Sequence, residues 1–239
     1  CNPCESLIVD SVGEYNMLGY SGTNSTGVTI ANSVFRNNRS GIVPNSLDGE
    51  KLAPNSGTTI VGNIIADNNS GEAPSNEGFA IAFGTGIVFG GVSNNIAERN
   101  LITGHRVGGV VVTDMPDGYK PENNIVRNNR LANNQYDLVY LTVEFASTLF
   151  GNCFADNDVV KTFPADLQER AGCGAPDHDF GDLSAIVSEI PAAPADVDWK
   201  TVRPPGPQPN MANAATAKAV PANNVPVSID LDAITTPVA

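Results

Sequence analysis

The sequence is poor in basic residues, in aromatic residues and in histidine, and it has no long apolar run. Of its 239 residues only 13 are Lys or Arg, against 26 Asp or Glu, which gives a formal net charge of −13. Nucleic acid is therefore an unsuitable partner, because binding to phosphates requires a basic surface. No apolar stretch approaches the length of about 20 residues that spans a bilayer, so the sequence also excludes a transmembrane helix.

Charged residues of both signs are scarce as well. They make up 16% of the chain, while hydrophobic residues make up 41%. A chain with this balance is not kept disordered by its charge, and it has enough apolar material for a core. Its length indicates one domain, or one domain with an appendage.

Cysteine is rare, and its distribution is informative. The four cysteines form two clusters, and their even number predicts the disulfides Cys1–Cys4 and Cys153–Cys173. Disulfides require an oxidising compartment, which indicates a secreted or cell-surface protein. Zinc is the alternative, but the second pair is separated by 20 positions and no His lies near either pair. The chain does not begin with Met, so we expect a mature form or a fragment that lacks N-terminal coils; a lipid on Cys1 is left open.

Asparagine, by contrast, is abundant, with 27 residues of which 23 precede residue 158. The pattern is an apolar residue, two variable residues, Asn or Ser, two apolar residues, two variable residues and Asn. Six copies place their first polar residue at Ser11, Ser33, Asn63, Asn100, Asn129 and Asn152. The steps of 22, 30, 37, 29 and 23 residues fit one period of about 22 with added loops. Such a period indicates a solenoid.

Further columns run beside these polar positions. Five residues later comes a second polar column: Asn16, Asn38, Asn68, His105, Asn134 and Asn157. Stacked Asn side chains form hydrogen-bonded ladders, and Asn tolerates the left-handed conformation of a tight turn. Three apolar columns accompany them: Ile8, Ile30, Ile60, Ala97, Val126 and Leu149; Phe35, Ile65, Ile102, Leu131 and Phe154; Ile42, Ile87, Val110 and Leu138. An antiparallel sandwich, the alternative fold, predicts alternation rather than such columns.

This phased pattern resembles the right-handed parallel β-helix repeat of the pectate-lyase-like superfamily over residues 7–157. The resemblance implies an all-β solenoid of about six coils. That superfamily includes polysaccharide lyases, glycoside hydrolases, uronate epimerases, phage tailspikes and non-catalytic proteins. The resemblance therefore implies a carbohydrate-active or carbohydrate-binding protein, by analogy of fold.

We expect two regions. Residues 1–174 form the β-helix and end in a short capping helix within 162–172, where a Pro comes early and a Gly follows. Residues 175–239 are rich in Pro and Ala, which indicates an extended tail rather than a second domain.

One apolar column is unexpected because strand alternation points it outward. It consists of Val43, Val88, Val111 and Val139. Parallel strands that are covered on both faces have this composition. We expect the tail or the 72–85 insertion to cover this face, and binding of a partner protein is the alternative.

Arg99, Arg127 and Arg130 are the first candidate site, because they fall at neighbouring phases of adjacent coils. Arginine suits bidentate recognition of sugar carboxylates, and the resemblance implies a lyase in which an Arg abstracts the C5 proton. The alternative is a surface ion-pair ladder with Glu98. His105 is a candidate general base, unless its ring only replaces Asn in the ladder.

The insertion at 113–123 supplies a candidate cation site. Asp114, Asp117 and Glu122 bring carboxylate oxygens, which Ca²⁺ prefers, and the resemblance implies a Ca²⁺ that neutralises the substrate carboxylate. The alternative is a solvated turn, since Pro-Asp-Gly favours turns. The sequence thus predicts either a protein that binds and processes an acidic polysaccharide, with β-elimination as the reaction, or a non-catalytic structural or adhesive scaffold. Catalysis itself is left open.

Overall fold

The computed structural model describes residues 5–75, 82–143, 151–174, 180–195, 197–201, 203 and 229–238. Within them the chain forms a parallel β-helix of about six coils with three parallel sheets and one short α-helix. Cys1, Cys4 and Leu149 lie outside these residues, so the Cys1–Cys4 disulfide stays a prediction. No helix in the described ranges is long and apolar enough to cross a membrane.

Sheet 1 takes one short strand from each coil, in chain order. Its strands are β1 (Ser6–Val9), β4 (Val28–Ala31), β7 (Thr59–Val61), β11 (Ile96–Glu98), β14 (Ile125–Arg127) and β17 (Cys153–Ala155). One apolar residue of each strand packs into the core, and these residues are in register from coil to coil: Ile8, Ile30, Ile60, Ala97, Val126 and Phe154. The first five members confirm the predicted column.

Sheet 2 follows sheet 1 after a tight corner in each coil. Its strands are β2 (Val12–Glu14), β5 (Val34–Arg36), β8 (Ile64–Ala66), β12 (Leu101–Thr103) and β15 (Arg130–Ala132). The register confirms the predicted inward column of Phe35, Ile65, Ile102 and Leu131.

Sheet 3 completes each coil with longer strands. They are β3 (Leu18–Thr23), β6 (Ser40–Asn45), β10 (Thr85–Gly90), β13 (Gly108–Thr113), β16 (Leu138–Thr142) and β18 (Thr162–Phe163), and β19 (Gly181–Asp182) also pairs with β16. Their inward column of Ile42, Ile87, Val110 and Leu138 is confirmed. A separate pair joins β9 (Pro74–Ser75) to β20 (Val197–Asp198).

The register of the last coil differs from the prediction. Phe154 is in register with Val126 of sheet 1, and not with Leu131 of sheet 2. Asn157, rather than Asn152, accepts the backbone N–H of Asn129. The cause is a second periodicity inside each coil, since polar ladder positions recur every five residues. A shift of five residues superposes one ladder on the next, and the predicted alignment of the last copy made this shift.

The ladders connect the coils in one direction. The backbone N–H of Asn63 donates to Oδ1 of Asn100 at 3.0 Å, and the backbone N–H of Asn100 donates to Oδ1 of Asn129 at 3.0 Å. The side-chain amide of Asn100 also donates to the Ile60 carbonyl at 2.9 Å. Before each of these ladder residues the chain turns through a residue with positive φ: Asp10, Asn32, Gly62, Arg99, Asn128 and Asp156. We call this series the corner column.

The C-terminal end of the solenoid is capped by helix α1 (Leu167–Arg170). Oε1 of Gln168 accepts the backbone N–H of Asn157 at 2.8 Å, as the next ladder residue would. The carbonyl of Ala171 accepts the N–H of Phe154, and Leu167 is buried against the core. The disulfide Cys153–Cys173 joins this cap to the last coil, so the predicted cap helix and disulfide are confirmed.

The outward valines of sheet 3 are covered by residues of the tail, as predicted. Val43, Val88, Val111 and Val139 are between 2% and 9% exposed and share a cluster with Ile186. Burial of an aliphatic side chain of this size contributes roughly 1.5–3 kcal/mol. A hydrogen bond of 2.7 Å from the Tyr136 hydroxyl to Glu189 holds the same segment. This second apolar cluster explains why sheet 3 is apolar on both faces.

Candidate functional site

The first candidate cluster lies at the corner between sheets 1 and 2. Nη2 of Arg99 is 2.7 Å from Oε1 of Glu98, and Nε of Arg127 donates to Oε2 of the same carboxylate at 2.8 Å. Glu98 is 7% exposed, so the carboxylate is held between two cations in a largely desolvated position. The structure therefore brings Arg99 and Arg127 together, and it does so through the residue that the ion-pair alternative names.

Arg130 lies apart from this pair, on the outer face of sheet 2. It is in register with Leu101, and its backbone forms a bridge with Asp158 in the last coil. The same outward column continues through Ile64 and Val34, which are apolar. Arg130 is exposed, and its side chain forms no hydrogen bond or ion pair with the described part of the chain.

His105 lies inside the second polar ladder. Its Nδ1 is 2.9 Å from Oδ1 of Asn134, and its Nε2 is 3.1 Å from Nδ2 of Asn68. Oδ1 of Asn68 accepts from Asn38, so its Nδ2 must donate to the ring. A neutral imidazole with its proton on Nδ1 satisfies both partners. Burial lowers the pKa of His105 from 6.5 to about 4, and only 1% of the residue is exposed. The structure therefore favours the ladder alternative over a general base.

The three predicted cation ligands have separate partners. Oδ1 of the buried Asp114 accepts the Val143 N–H at 2.6 Å, whereas Oδ2 of Asp117 accepts the Asp48 N–H at 2.9 Å. Glu122 is exposed and forms a backbone bridge with Ser93. In the described ranges no group of three or more His, Cys, Asp or Glu residues could hold a metal ion. The three carboxylates therefore contact different groups in this structure, and the Ca²⁺ site stays a prediction.

The insertions at 44–57 and 113–123 nevertheless contact each other. The Tyr119 hydroxyl donates to Oδ1 of Asp48 at 2.8 Å, and this bond raises the pKa of Tyr119. This bond and the bond from the Asp48 N–H to Asp117 connect the two exposed loops. The sequence does not indicate this contact, because the pairing is made once and does not recur between coils.

A second unpredicted contact occurs at the corner column. Residues 229–238, the C-terminal segment, pack over the outer edge of sheet 1. Nη2 of Arg99 donates to the Leu231 carbonyl at 2.8 Å. Ile234 is 7% exposed and packs against Ala31 and Val61. A signal for this contact exists in the sequence, since Gly62 occupies a corner position where the other coils carry Asp, Asn or Arg.

Comparison with known proteins gives one family match. A family model described as "Right handed beta helix region" matches residues 19–174, which is more than half of the chain. The matched range runs from the first strand of sheet 3 to the end of the cap. No curated protein and no solved structure matches the chain significantly.

Proposed function

The chain belongs to the right-handed β-helix family, whose model covers residues 19–174, and from this premise we propose that it acts as a rigid, non-catalytic scaffold outside the cytoplasm. One observation carries the proposal: three of the four side chains that the sequence predicts as catalytic are engaged in holding the solenoid together. Arg99 holds the C-terminal segment, Arg127 is paired with Glu98, and His105 is a rung of a ladder.

The chemistry of the predicted elimination supports this reading. A general base must come within about 3 Å of the proton that it removes. No substrate reaches His105 through the packed ladder, since 1% of the residue is exposed. The guanidinium groups of Arg99 and Arg127 are ion-paired with Glu98. Of the predicted candidates only Arg130 is exposed without a partner in the described part of the chain, and one cation does not form a catalytic set.

The location outside the cytoplasm rests on the disulfide. Cys153 and Cys173 are bonded, and structural disulfides persist in oxidising compartments and are rare in the cytosol of most organisms. The net charge of −13 is compatible with a protein that stays soluble and does not adhere to anionic lipid.

The test is the ultraviolet absorbance of unsaturated uronides. The full chain is incubated with a panel of polyuronates, each with added Ca²⁺ or with a chelator, and we expect a flat trace throughout. A Ca²⁺-dependent rise that Arg130→Ala abolishes would overturn the scaffold proposal. The matched control is Arg36→Ala, because Arg36 is also an exposed arginine on sheet 2 but is paired with Glu14.

Binding of an acidic polysaccharide without cleavage is a second candidate. The observation that favours it is that Arg127 and Arg130 are both exposed and flank one corner of the same coil. Exposed guanidiniums at such a corner suit sugar carboxylates. In affinity electrophoresis we expect retardation by a polyuronate gel to fall several-fold in Arg130→Ala and to be unchanged in Arg36→Ala. Equal retardation of both variants would remove this candidate.

A further inference from the structure

Gly62 creates a gap in an otherwise continuous row of side chains. It has φ of +65° in the corner column, where the other five coils carry Asp10, Asn32, Arg99, Asn128 and Asp156. A Cβ on Gly62 would collide with Cγ2 of Ile234. The missing side chain therefore makes room for this isoleucine. We call the site formed by Ala31, Asn32, Val61 and Gly62 the corner notch.

The C-terminal segment fills the corner notch with a defined set of contacts. Ile234 enters it and is buried between Ala31 and Val61. One coil further along, Arg99 donates to the Leu231 carbonyl at 2.8 Å, which fixes the backbone three residues before the isoleucine. An aliphatic anchor in a pocket, combined with a charge-assisted hydrogen bond to the main chain, is the composition of a peptide-binding site.

These contacts are made by Leu231 and Ile234, and residues 204–228 join this part of the sequence to the rest of the tail. Twenty-five residues span at most about 85 Å when fully extended. Six coils spaced by about 4.8 Å extend over only about 25–30 Å. The same contacts are therefore available to the segment of a neighbouring molecule.

We infer that the corner notch is a binding site for the C-terminal segment of a second copy of this protein, so that scaffold molecules are linked by exchange of this segment. Within one chain the tether provides an effective concentration in about the millimolar range. A molecule in dilute solution therefore fills its own notch. Exchange takes place where the segment of one copy is released or where copies are crowded on a surface.

The first experiment opens the notch in the full chain with Ile234→Asp, since an ionised side chain does not stay buried there. The probe is a fluorescent peptide of residues 229–238, followed by anisotropy at about 0.15 M salt, which screens repulsion between acidic molecules beyond about 8 Å. We expect saturable binding of this peptide and none of a scrambled peptide. Absence of binding would overturn the inference.

Substitutions in the notch test its specificity. Gly62→Asn, added to Ile234→Asp, is expected to weaken the peptide at least about tenfold, because its Cβ occupies the place of the isoleucine. Asn32 and Asn128 show that this residue is accepted in the corner column. Arg99→Asn is a second variant that keeps the corner, and loss of a charged hydrogen bond predicts about tenfold weakening or more. Asp156→Asn is the matched control, with unchanged affinity; equal affinity in all variants would contradict the assignment.

The last experiment tests the second copy directly. The Gly62→Asn chain has a displaced segment and a blocked notch, whereas the Ile234→Asp chain has an open notch and a disabled segment. We expect each alone to sediment as a monomer and an equimolar mixture to form a one-to-one complex. If the peptide binds but the mixture forms no complex, the second copy is excluded as the occupant.

Discussion

The two ends of the solenoid are built from the same ladder but terminate it differently. At the C-terminal end, Gln168 accepts the N–H of Asn157, although the described residues form no further coil there. The carbonyl of Ala171 does the same for the N–H of Phe154, and Leu167 covers the last apolar layer. The side-chain amide of Gln168 returns a bond to the Asn157 carbonyl at 3.1 Å. At this end the cap therefore supplies partners for the ladder N–H of Asn157 and the strand N–H of Phe154.

At the opposite end, β1, β2 and β3 each pair on one side only within the described residues. Oδ1 of Asn16 and Oγ of Ser11 receive no donor there from the described part of the chain, whereas the equivalent atoms of Asn38 and Ser33 do. Asn16 is exposed, and Ile8 and Tyr20 are only partly buried. These ladder acceptors are therefore open to water.

The difference follows from the direction of the ladder. The backbone N–H groups of the ladder residues point toward the C-terminal end, and their side-chain oxygens accept from the N-terminal side. An unpaired backbone N–H at a buried position costs about 1–3 kcal/mol, whereas an oxygen that water can reach costs little. The ladder itself therefore requires a polar cap at one end more than at the other.

The largest effect is expected from removing a ladder asparagine in the middle of the solenoid, compared with a ladder asparagine at the open end. Asn100→Ala leaves the N–H of Asn63 and the carbonyl of Ile60 unpaired in the interior, which should cost about 3–4 kcal/mol. Asn16→Ala should cost less than about 1 kcal/mol because solvent replaces its bonds. Urea unfolding of both variants measures the difference in their free energies of unfolding. Equal losses of stability would contradict the proposed difference between the middle and the open end.

Removing the disulfide should make the capped end less stable, and so more like the open end. The pair Cys153→Ser and Cys173→Ser releases a link across 20 residues, for which chain entropy predicts a loss of about 3 kcal/mol. Amide hydrogen exchange should then become faster at Phe154 and Asn157, while the rates in the first coil, formed by β1 to β3, stay unchanged. Uniform acceleration along the whole solenoid would instead indicate one cooperative unit without distinct ends.

Acid should lower the free energy of unfolding through His105, which lies in the middle of the solenoid. The pKa of His105 is about 4 in the folded protein against an ordinary value of 6.5, so the unfolded chain takes up the proton more readily between these values. The contribution of His105 to stability is therefore complete above pH 6.5, falls as the pH drops toward 4 and levels off below it, by about 3 kcal/mol in all. His105→Asn should remove this part of the pH dependence. A pH profile identical to that of the wild type would contradict the assignment.

The smallest effect is expected from the cap side chain alone. Gln168→Ala removes the acceptor for the Asn157 N–H and should cost about 1 kcal/mol, because opening of the cap admits water to this group. Gln168→Asn is the matched control, since it keeps the amide on a shorter arm. Thermal unfolding should rank the wild type first and Gln168→Ala last, and the reverse order would show that Gln168 is not the terminal rung.

Much of this architecture could be predicted from the sequence because each structural position recurs in several coils. Ile30, Ile60 and Ala97 recur at one phase, so their shared inward direction is evident without coordinates. The outward valines of sheet 3 are equally evident because they depart from alternation at the same phase in four coils. The error in the last coil arose because Asn152 and Asn157 each fit a ladder position, and local pattern cannot choose between two registers that differ by five residues.

The candidate site was less predictable because its contacts occur once. The bond from Arg99 to the Leu231 carbonyl joins residues that are 132 positions apart, and no repeat indicates it. The position of Ile234 depends on Gly62, and a glycine at one corner marks a departure from the repeat without indicating which segment fills the space. Phase placed Arg99 and Arg127 near Glu98, but only the three-dimensional arrangement distinguishes an ion pair from a clamp for a substrate.

The one-way ladder also bears on how such a protein changes length. In each internal coil the ladder residues give their backbone N–H to the following coil, while strand N–H groups such as that of Leu101 donate to the preceding coil. A duplicated or deleted whole coil therefore leaves every remaining buried group with a partner, and the cap meets the same surface as before. The step from Ser11 to Ser33 shows that 22 residues suffice for such a unit. Tandem duplication of a coil within a gene would thus yield a foldable rod at each step. An insertion of any other length has to project from the solenoid as a loop.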